Sequence, residues 1–293
     1  MKVSARIVSD GSTVGSLGRR REGSGVVLDP TTVLTIGYLV VESESVEVET
    51  VGGKRLPATL AGYDHATGFG LLRVLVPVDA PAAPLGDSDA VAVNQIVLTA
   101  GFGEPRSTPI LAVSRQPFAG GWEYLLESPI FTYPPVSNWS GAALFDGDGR
   151  LVGVGSLIVD DARVTGRKVP GNLFVPINLL KPILADLQKQ GRRSGPVAPW
   201  LGLTTEWQRD ALVVLRVAPQ GPAERAGIAR GDRISAVAGM AITDQADFYR
   251  KVLAGGAAGT TLTLTIRQES GEQRRVRVTS IDRETFLKRA AGI

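Results

Sequence analysis

Short apolar runs, rich in Val, Leu and Ile and bounded by Gly, Pro and Asp, fill the first two thirds of the chain. Short strands at this spacing, without helices between them, are typical of β-barrels and sandwiches. A segment rich in Pro, Ala and Asp near 77–90 indicates a crossover between two β units. The pattern predicts strands at 25–28, 33–36, 46–49, 70–76, 95–100, 124–126, 142–145, 151–159 and 173–176.

A helical pattern follows the last of these strands. Asn178 is a candidate cap, Pro182 is tolerated only in a first turn, and Gly191 is a stop signal. The apolar residues on one face of this predicted helix are Leu179, Leu180, Ile183, Leu184 and Leu187.

The periodicity changes again at Trp200, where a compact α+β pattern begins. It predicts strands at 211–217, 233–237, 261–268 and 274–279 and a helix at 245–254. The chain is therefore expected to be mainly β, with two β units at 1–192, a linker at 193–199, an α+β domain at 200–282 and a tail at 283–293.

Composition narrows the functional classes. A hydrophobic content of 43% and a charged content of 21% indicate an ordered globular protein. The net charge is only +3 and the arginine clusters are short and separated, which argues against a nucleic-acid surface. No cysteine and a single histidine argue against a metal site, and the glycines match no cofactor-binding pattern.

The first residues lack the apolar stretch of about 7–15 residues that a signal peptide carries. As written, the chain is expected to be cytoplasmic. A start further upstream, or processing, would make a periplasmic location the expectation.

Five separated motifs carry a resemblance to a known family. Their order and content resemble trypsin-like serine proteases of the HtrA (DegP) kind, which implies a double β-barrel and a serine endopeptidase framework. The motifs are GSGVVLDP at 23–30, VLTIGYLV at 33–40, GYDHATGFGLL at 62–72, PLGDS at 84–88 and NWSGAALF at 138–145.

The resemblance places Ser140 at the nucleophile, Tyr38 at the position of the catalytic histidine and Gly68 at that of the orienting aspartate. The amides of Asn138 and Ser140 would form the oxyanion hole. Asn tolerates positive φ, so a preformed nest is expected to remain there. The Trp139 side chain is expected either to fill part of the cleft at Ser140 or to be an ordinary packing residue.

A serine nucleophile needs an imidazole within hydrogen-bond reach. Tyrosine, with a reference pKa of about 10, is a poor substitute at neutral pH. Two other bases remain open: the single histidine, His65, which is expected in an exposed turn after Asp64, and a lysine forming a dyad with Ser140. Two hypotheses follow: an inactive protease homologue that acts as a scaffold, and an atypical serine endopeptidase.

The C-terminal region resembles a bacterial PDZ domain in WLGL at 200–203, PAERAGI at 222–228 and RGDRI at 230–234. This resemblance implies a groove for peptide or protein C-termini, with Trp200, Leu201, Gly202 and Leu203 in the carboxylate-binding loop. Phe248 and Val252, one helical turn apart, are expected either in the opposite wall or in the core. The family resemblance also suggests a homo-oligomer, namely a trimer.

Overall fold

The computed structural model describes residues 1–103, 106–163, 168–268 and 271–288. These residues form two compact units. The first consists of Met1–Gln116, Ser128–Ser194 and the residues from Leu287 onward; the second consists of Pro117–Glu127 and Gly195–Phe286. Among the described residues, no helix has the length and apolar character needed to span a membrane.

The first unit holds two antiparallel β structures. A seven-stranded sheet has the order β2-β1-β5-β6-β7-β4-β3, and a closed barrel has the order β12-β15-β14-β13-β8-β9. The hairpin of β10 (Phe118–Gly120) and β11 (Tyr124–Leu126) belongs to the second unit. The strands of the first unit are β1 (Lys2–Ile7), β2 (Arg20–Ser24), β3 (Val26–Asp29), β4 (Thr32–Ile36), β5 (Ser43–Glu49), β6 (Arg55–Tyr63), β7 (Phe69–Val74), β8 (Ile96–Ala100), β9 (Ser107–Ser114), β12 (Ile130–Tyr133), β13 (Ala143–Phe145), β14 (Leu151–Val159) and β15 (Gly171–Pro176).

Alternating apolar residues build the core of each β structure. In β1, Val3, Ala5 and Ile7 are buried between exposed or half-buried neighbours. In the barrel, fully buried Ile130, Leu144 and Phe174 meet in one cluster. The connection near 77–90 runs between the sheet and the barrel, and its Leu85 forms a parallel bridge with Leu151. The mainly β fold class is thus confirmed.

The short helices of this unit are α1 (Val14–Leu17) and α2 (Leu184–Gln190), with 3-10 turns at Gly37–Leu39, Ser88–Ala90 and Ile177–Leu179. The prediction of a helix from Asn178 was wrong in its start. The proline ring at Pro182 delays the helix to Leu184 because it removes an N–H donor. Instead of capping a helix, the Asn178 side chain donates to Asp87 and Asp89, at 2.6 and 2.9 Å.

The second unit contains the sheet β16-β17-β18-β20-β21, with β19 paired to β18. Its helix α4 begins after Asp244, whose side chain accepts a hydrogen bond from the Asp247 amide, and covers the residues that periodicity predicted. The elements are β16 (Leu203–Gln208), β17 (Ala211–Val217), α3 (Pro222–Arg225), β18 (Arg233–Val237), β19 (Met240–Ala241), α4 (Gln245–Ala254), β20 (Thr261–Arg267) and β21 (Gln273–Thr279), followed by a 3-10 turn at Arg283–Thr285.

Candidate active site and peptide-binding groove

The loop before β13 presents Ser140. Gly141 has φ +73°, and a Cβ at this position would lie 2.0 Å from the Ser24 carbonyl oxygen, so only glycine fits. The Gly141 amide donates to Gly155 O at 2.8 Å, and the Ala142 amide donates to Trp139 O at 2.9 Å. These bonds fix the backbone of the serine loop against β14.

Tyr38 lies in the 3-10 turn after β4 and reaches this loop. Its hydroxyl oxygen lies 2.8 Å from Ser140 Oγ and 2.8 Å from the carbonyl oxygen of Ser156. Ser156 sits where the register of β14 with β15 shifts, so a bulge turns its carbonyl toward the tyrosine. On the backbone side, Arg21 donates to Tyr38 O at 2.6 Å. Arg21, although it belongs to a short cluster of arginines at 19–21, is buried.

Two acceptors engage the proton of the Tyr38 hydroxyl. The hydroxyl is the donor toward Ser140 Oγ and toward the Ser156 carbonyl, which can only accept. Burial raises the pKa of Tyr38 to about 12, although hydrogen bonds with the Ser140 and Trp139 side chains act in the opposite direction. A neutral phenol that already donates its proton is a very weak acceptor for the proton of a nucleophilic serine.

Gly68 lies beside Tyr38, as the triad positions require. Its carbonyl oxygen accepts from the Gly37 amide at 2.7 Å. It has φ +80° and no side chain, so it supplies no orienting acid. The nearby Asp64 is already engaged, because it accepts from Arg193 Nε at 2.6 Å and Nη2 at 2.8 Å. Arg193 is therefore part of a bidentate ion pair with a buried carboxylate, not a solvated linker residue.

Within the described part of the chain, neither His65 nor a lysine is hydrogen-bonded to Ser140 Oγ, whose partner is Tyr38. His65 lies in the turn after Asp64, where its Nδ1 is 3.2 Å from the Tyr63 hydroxyl. Of the lysines, Lys251 pairs with Asp247 in the second unit and Lys2 pairs with Glu22 on the first sheet.

The oxyanion hole is only partly as expected. The described non-glycine residues with positive φ are Glu42, Asn94, Glu123, Arg209, Gln220 and Ala238. Asn138 is not among them, so its backbone does not adopt the conformation that its residue type would tolerate. The Ser140 amide donates no hydrogen bond to another described residue. The oxyanion role of the Asn138 and Ser140 amides stays a prediction.

In the second unit, the loop that leads into β16 holds a carboxylate from this chain. The Leu201 amide donates to Glu123 Oε2 at 2.7 Å, and the Gly202 and Leu203 amides donate to Oε1 at 2.7 and 2.8 Å. Gly202 has φ +83°, which lets three successive amides converge. Burial raises the pKa of Glu123 to about 7, while these amides and Arg283 act to lower it. Nothing in the sequence pattern around Glu123 had indicated this role.

The remaining predicted groove residues have different surroundings. The Trp200 amide pairs with Ile281 O at 3.0 Å and its ring packs on Phe286, so Trp200 donates nothing to the carboxylate. Phe248 and Val252 are buried in the core cluster on which Ala119 and Leu125 of the hairpin pack. Tyr249, which the sequence analysis did not select, reaches the hairpin instead: its hydroxyl donates to Gly120 O at 2.9 Å.

Comparisons with known proteins match both halves of the chain. A family described as a trypsin-like peptidase domain matches residues 23–154, and a PDZ domain family matches residues 199–279. The chain is 25% identical to the serine protease Do-like HtrA of Lactobacillus helveticus over 288 residues, covering 89% of this chain and 68% of that protein.

Two further relatives are named as periplasmic enzymes. A probable periplasmic serine endoprotease DegP-like of Halomonas elongata is 26% identical and is matched by 94% of this chain over 59% of its own length. The periplasmic serine endoprotease DegP of Escherichia coli K12 is 24% identical, with 84% of this chain and 54% of DegP covered. The chain thus spans about half to two thirds of the length of these relatives.

Solved structures share the fold. The HtrA-type protease AlgW with a decapeptide has a TM-score of 0.55 at 20% identity, with 93% of this chain and 85% of that chain covered. A serine endoprotease from Yersinia pestis has a TM-score of 0.55 at 22% identity, with 96% and 93% covered. With the two domain matches and the curated relatives, these findings confirm the resemblance: the chain belongs to the HtrA family of trypsin-like serine proteases that carry a PDZ domain.

Proposed function

We propose that this HtrA-family chain has lost proteolytic chemistry and acts as a scaffold or regulator that binds peptide or protein C-termini through its PDZ groove. The observation that carries the first half is the Tyr38 hydroxyl, which is hydrogen-bonded to both Ser140 Oγ and Ser156 O where a base is needed. The absence of a side chain at Gly68 supports the same conclusion, since no acid would orient a substitute base.

The size of the loss follows from the ionisation of Tyr38. With a pKa of about 12, the phenolate makes up about one molecule in 10⁵ at pH 7, since the difference is about five pH units. Loss of triad members typically lowers kcat by about 10⁴-fold or more. Only binding and any remaining oxyanion donors would be left to accelerate hydrolysis.

The second half rests on the loop of Leu201, Gly202 and Leu203. Its three amides hold a carboxylate at 2.7–2.8 Å, the length of charge-assisted hydrogen bonds. The same donors suit the terminal carboxylate of a peptide that adds as a strand to β16. The side chains of Leu201 and Leu203 are buried and make the surroundings of the loop apolar, which favours a peptide whose last side chain is apolar.

Casein turnover tests the first half. The purified full chain should show no turnover above that of a Ser140→Ala variant. Turnover that disappears in Ser140→Ala would favour the second hypothesis, an atypical serine endopeptidase. The observation that supports this alternative is the retained serine loop. Activity that survives in both proteins would identify a contaminating protease.

Amidated peptides test the second half. We expect an octapeptide with a free C-terminal Leu to bind about tenfold or more tighter than its C-terminal amide, because a hydrogen bond to a charged group contributes about 1.5–3 kcal/mol. Titration calorimetry measures the affinities of both peptides. The Glu123→Gln variant is used because Glu123 occupies the loop amides in the parent chain. Equal affinities would show that the groove does not recognise chain termini.

Compartment and assembly are proposed from the likeness to the relatives. The cytoplasmic expectation finds no support among the relatives, two of which are named as periplasmic. We place this chain in the periplasm, to be checked by cell fractionation. The trimer implied by the family is checked by light scattering of the purified chain.

A further inference from the structure

The hairpin of β10 and β11 lies in the PDZ groove in the manner of a peptide. Its turn, Gly121–Glu123, lies alongside β16. The Thr205 amide donates to Gly121 O at 2.8 Å, and the Glu123 carboxylate is held by the loop at 201–203, which precedes Thr205 in the chain. Backbone pairing with an edge strand, combined with a carboxylate held by the preceding loop, is how a PDZ domain binds a chain terminus. Here both features come from an internal segment.

The fit between turn and groove is close. A Cβ on Gly121 would lie 2.3 Å from the Thr205 carbonyl oxygen, so only glycine permits this approach. On the opposite side, the Tyr249 hydroxyl of α4 donates to Gly120 O and lies 3.2 Å from the Glu123 amide. Glu123 itself has φ +64°, a conformation that non-glycine residues seldom adopt and that turns its side chain into the loop.

Contacts at the hairpin base hold it in register. Arg250 of α4 donates to Glu127 at 2.9 and 2.6 Å, a bidentate pair. On the inner face, Ala119 and Leu125 pack against the core cluster of the PDZ domain. The hairpin thus fills both the polar and the apolar parts of the groove.

We infer that the Gly121–Glu123 turn is an internal ligand of the PDZ groove, and that an external C-terminus binds only when this turn leaves it. The inference rests on the proposed peptide-binding function and adds its regulation. A tethered ligand competes at an effective concentration in the millimolar range, so an external peptide must displace it. The resting protein is therefore expected to bind C-termini weakly.

Glu123→Gln tests the inference because it preserves size but replaces one carboxylate oxygen with an NH₂ group, which cannot accept a hydrogen bond from the loop amides that face it. The matched control is Glu206→Gln, which removes an exposed carboxylate from β16 whose partner is Gln208. The probe is a fluorescein-labelled octapeptide with a C-terminal Leu and a free carboxylate, titrated into each full-length protein and followed by anisotropy.

We expect Glu123→Gln to bind the probe at least about tenfold more tightly than the parent, and Glu206→Gln to match the parent. Equal binding by all three proteins would overturn the internal ligand while leaving the peptide-binding function intact. If none of them binds, the proposed function fails, and hydrogen exchange then decides the inference. The Leu201, Gly202 and Leu203 amides should be protected in the parent and should exchange faster in Glu123→Gln; unchanged exchange would refute the internal ligand.

Discussion

Replacing Tyr38 with Phe removes only the hydroxyl that joins the serine loop to β14. The buried Ser156 carbonyl then loses its donor, and an unsatisfied buried carbonyl costs about 1–3 kcal/mol. Ser140 Oγ also loses the Tyr38 donor, but the serine hydroxyl is able to rotate toward another partner. We expect the first unit to be destabilised by about 2 kcal/mol, and its Tm to fall by about 4–8 °C at about 2–4 °C per kcal/mol.

Differential scanning calorimetry measures this effect, with the transition of the second unit as an internal reference. The control is Tyr133→Phe, because Tyr133 is also aromatic, lies in β12 and is exposed. Exposed substitutions usually change stability by less than about 0.5 kcal/mol. If Tyr38→Phe matched this control, the hydroxyl would have no structural role and the argument that its proton is engaged by Ser140 Oγ and Ser156 O would fail.

Three further outcomes are expected. Tyr38→His alone should show no serine-dependent activity. Adding Gly68→Asp should restore only modest activity, since the φ of +80° at Gly68 disfavours a side chain. Equal activity of the single and double variants would contradict the need for an acid. Because docking raises the pKa of Glu123 from about 4.5 to about 7, docking is favoured as pH falls below 7, and peptide affinity should rise by about tenfold in total from pH 6 to pH 8. The affinity should be flat in Glu123→Gln, because neither the peptide carboxylate nor Tyr249, whose pKa is about 12, titrates in this range. A fragment spanning 197–283 should fold and bind the free-carboxylate octapeptide more tightly than the full chain, as anisotropy would show; weaker binding would mean that the hairpin completes the groove.

The sequence predicted most strands because their apolar runs end in turn residues. It missed β6 and β9, which contain Pro57 and Pro109, since proline within a run argues against a strand. It also missed β1, although the alternation of Val3, Ala5 and Ile7 was a usable signal. Helix α2 was placed too early because the apolar periodicity continues across Pro182.

Positions within the site were harder to predict than the motifs that carry them. Motif register assigns Tyr38 and Gly68 to the triad positions, and this assignment stays a prediction; in the structure Tyr38 contacts Ser140, and Gly68 contacts Gly37, the residue before Tyr38. One of the two acceptors for the Tyr38 proton is a backbone carbonyl at a bulge, which has no side-chain signature. Glu123 is separated by 78 to 80 residues from the amides that hold it, so no local pattern links the two.

The central claim is that Ser140 lacks a base. Labelling of the purified chain with a fluorophosphonate probe tests this directly, because the probe reports an activated serine and needs no knowledge of the substrate. We expect no labelling above that of Ser140→Ala at pH 7–8. Labelling of the parent chain that disappears in Ser140→Ala would contradict the account and would establish a serine hydrolase with an unrecognised base.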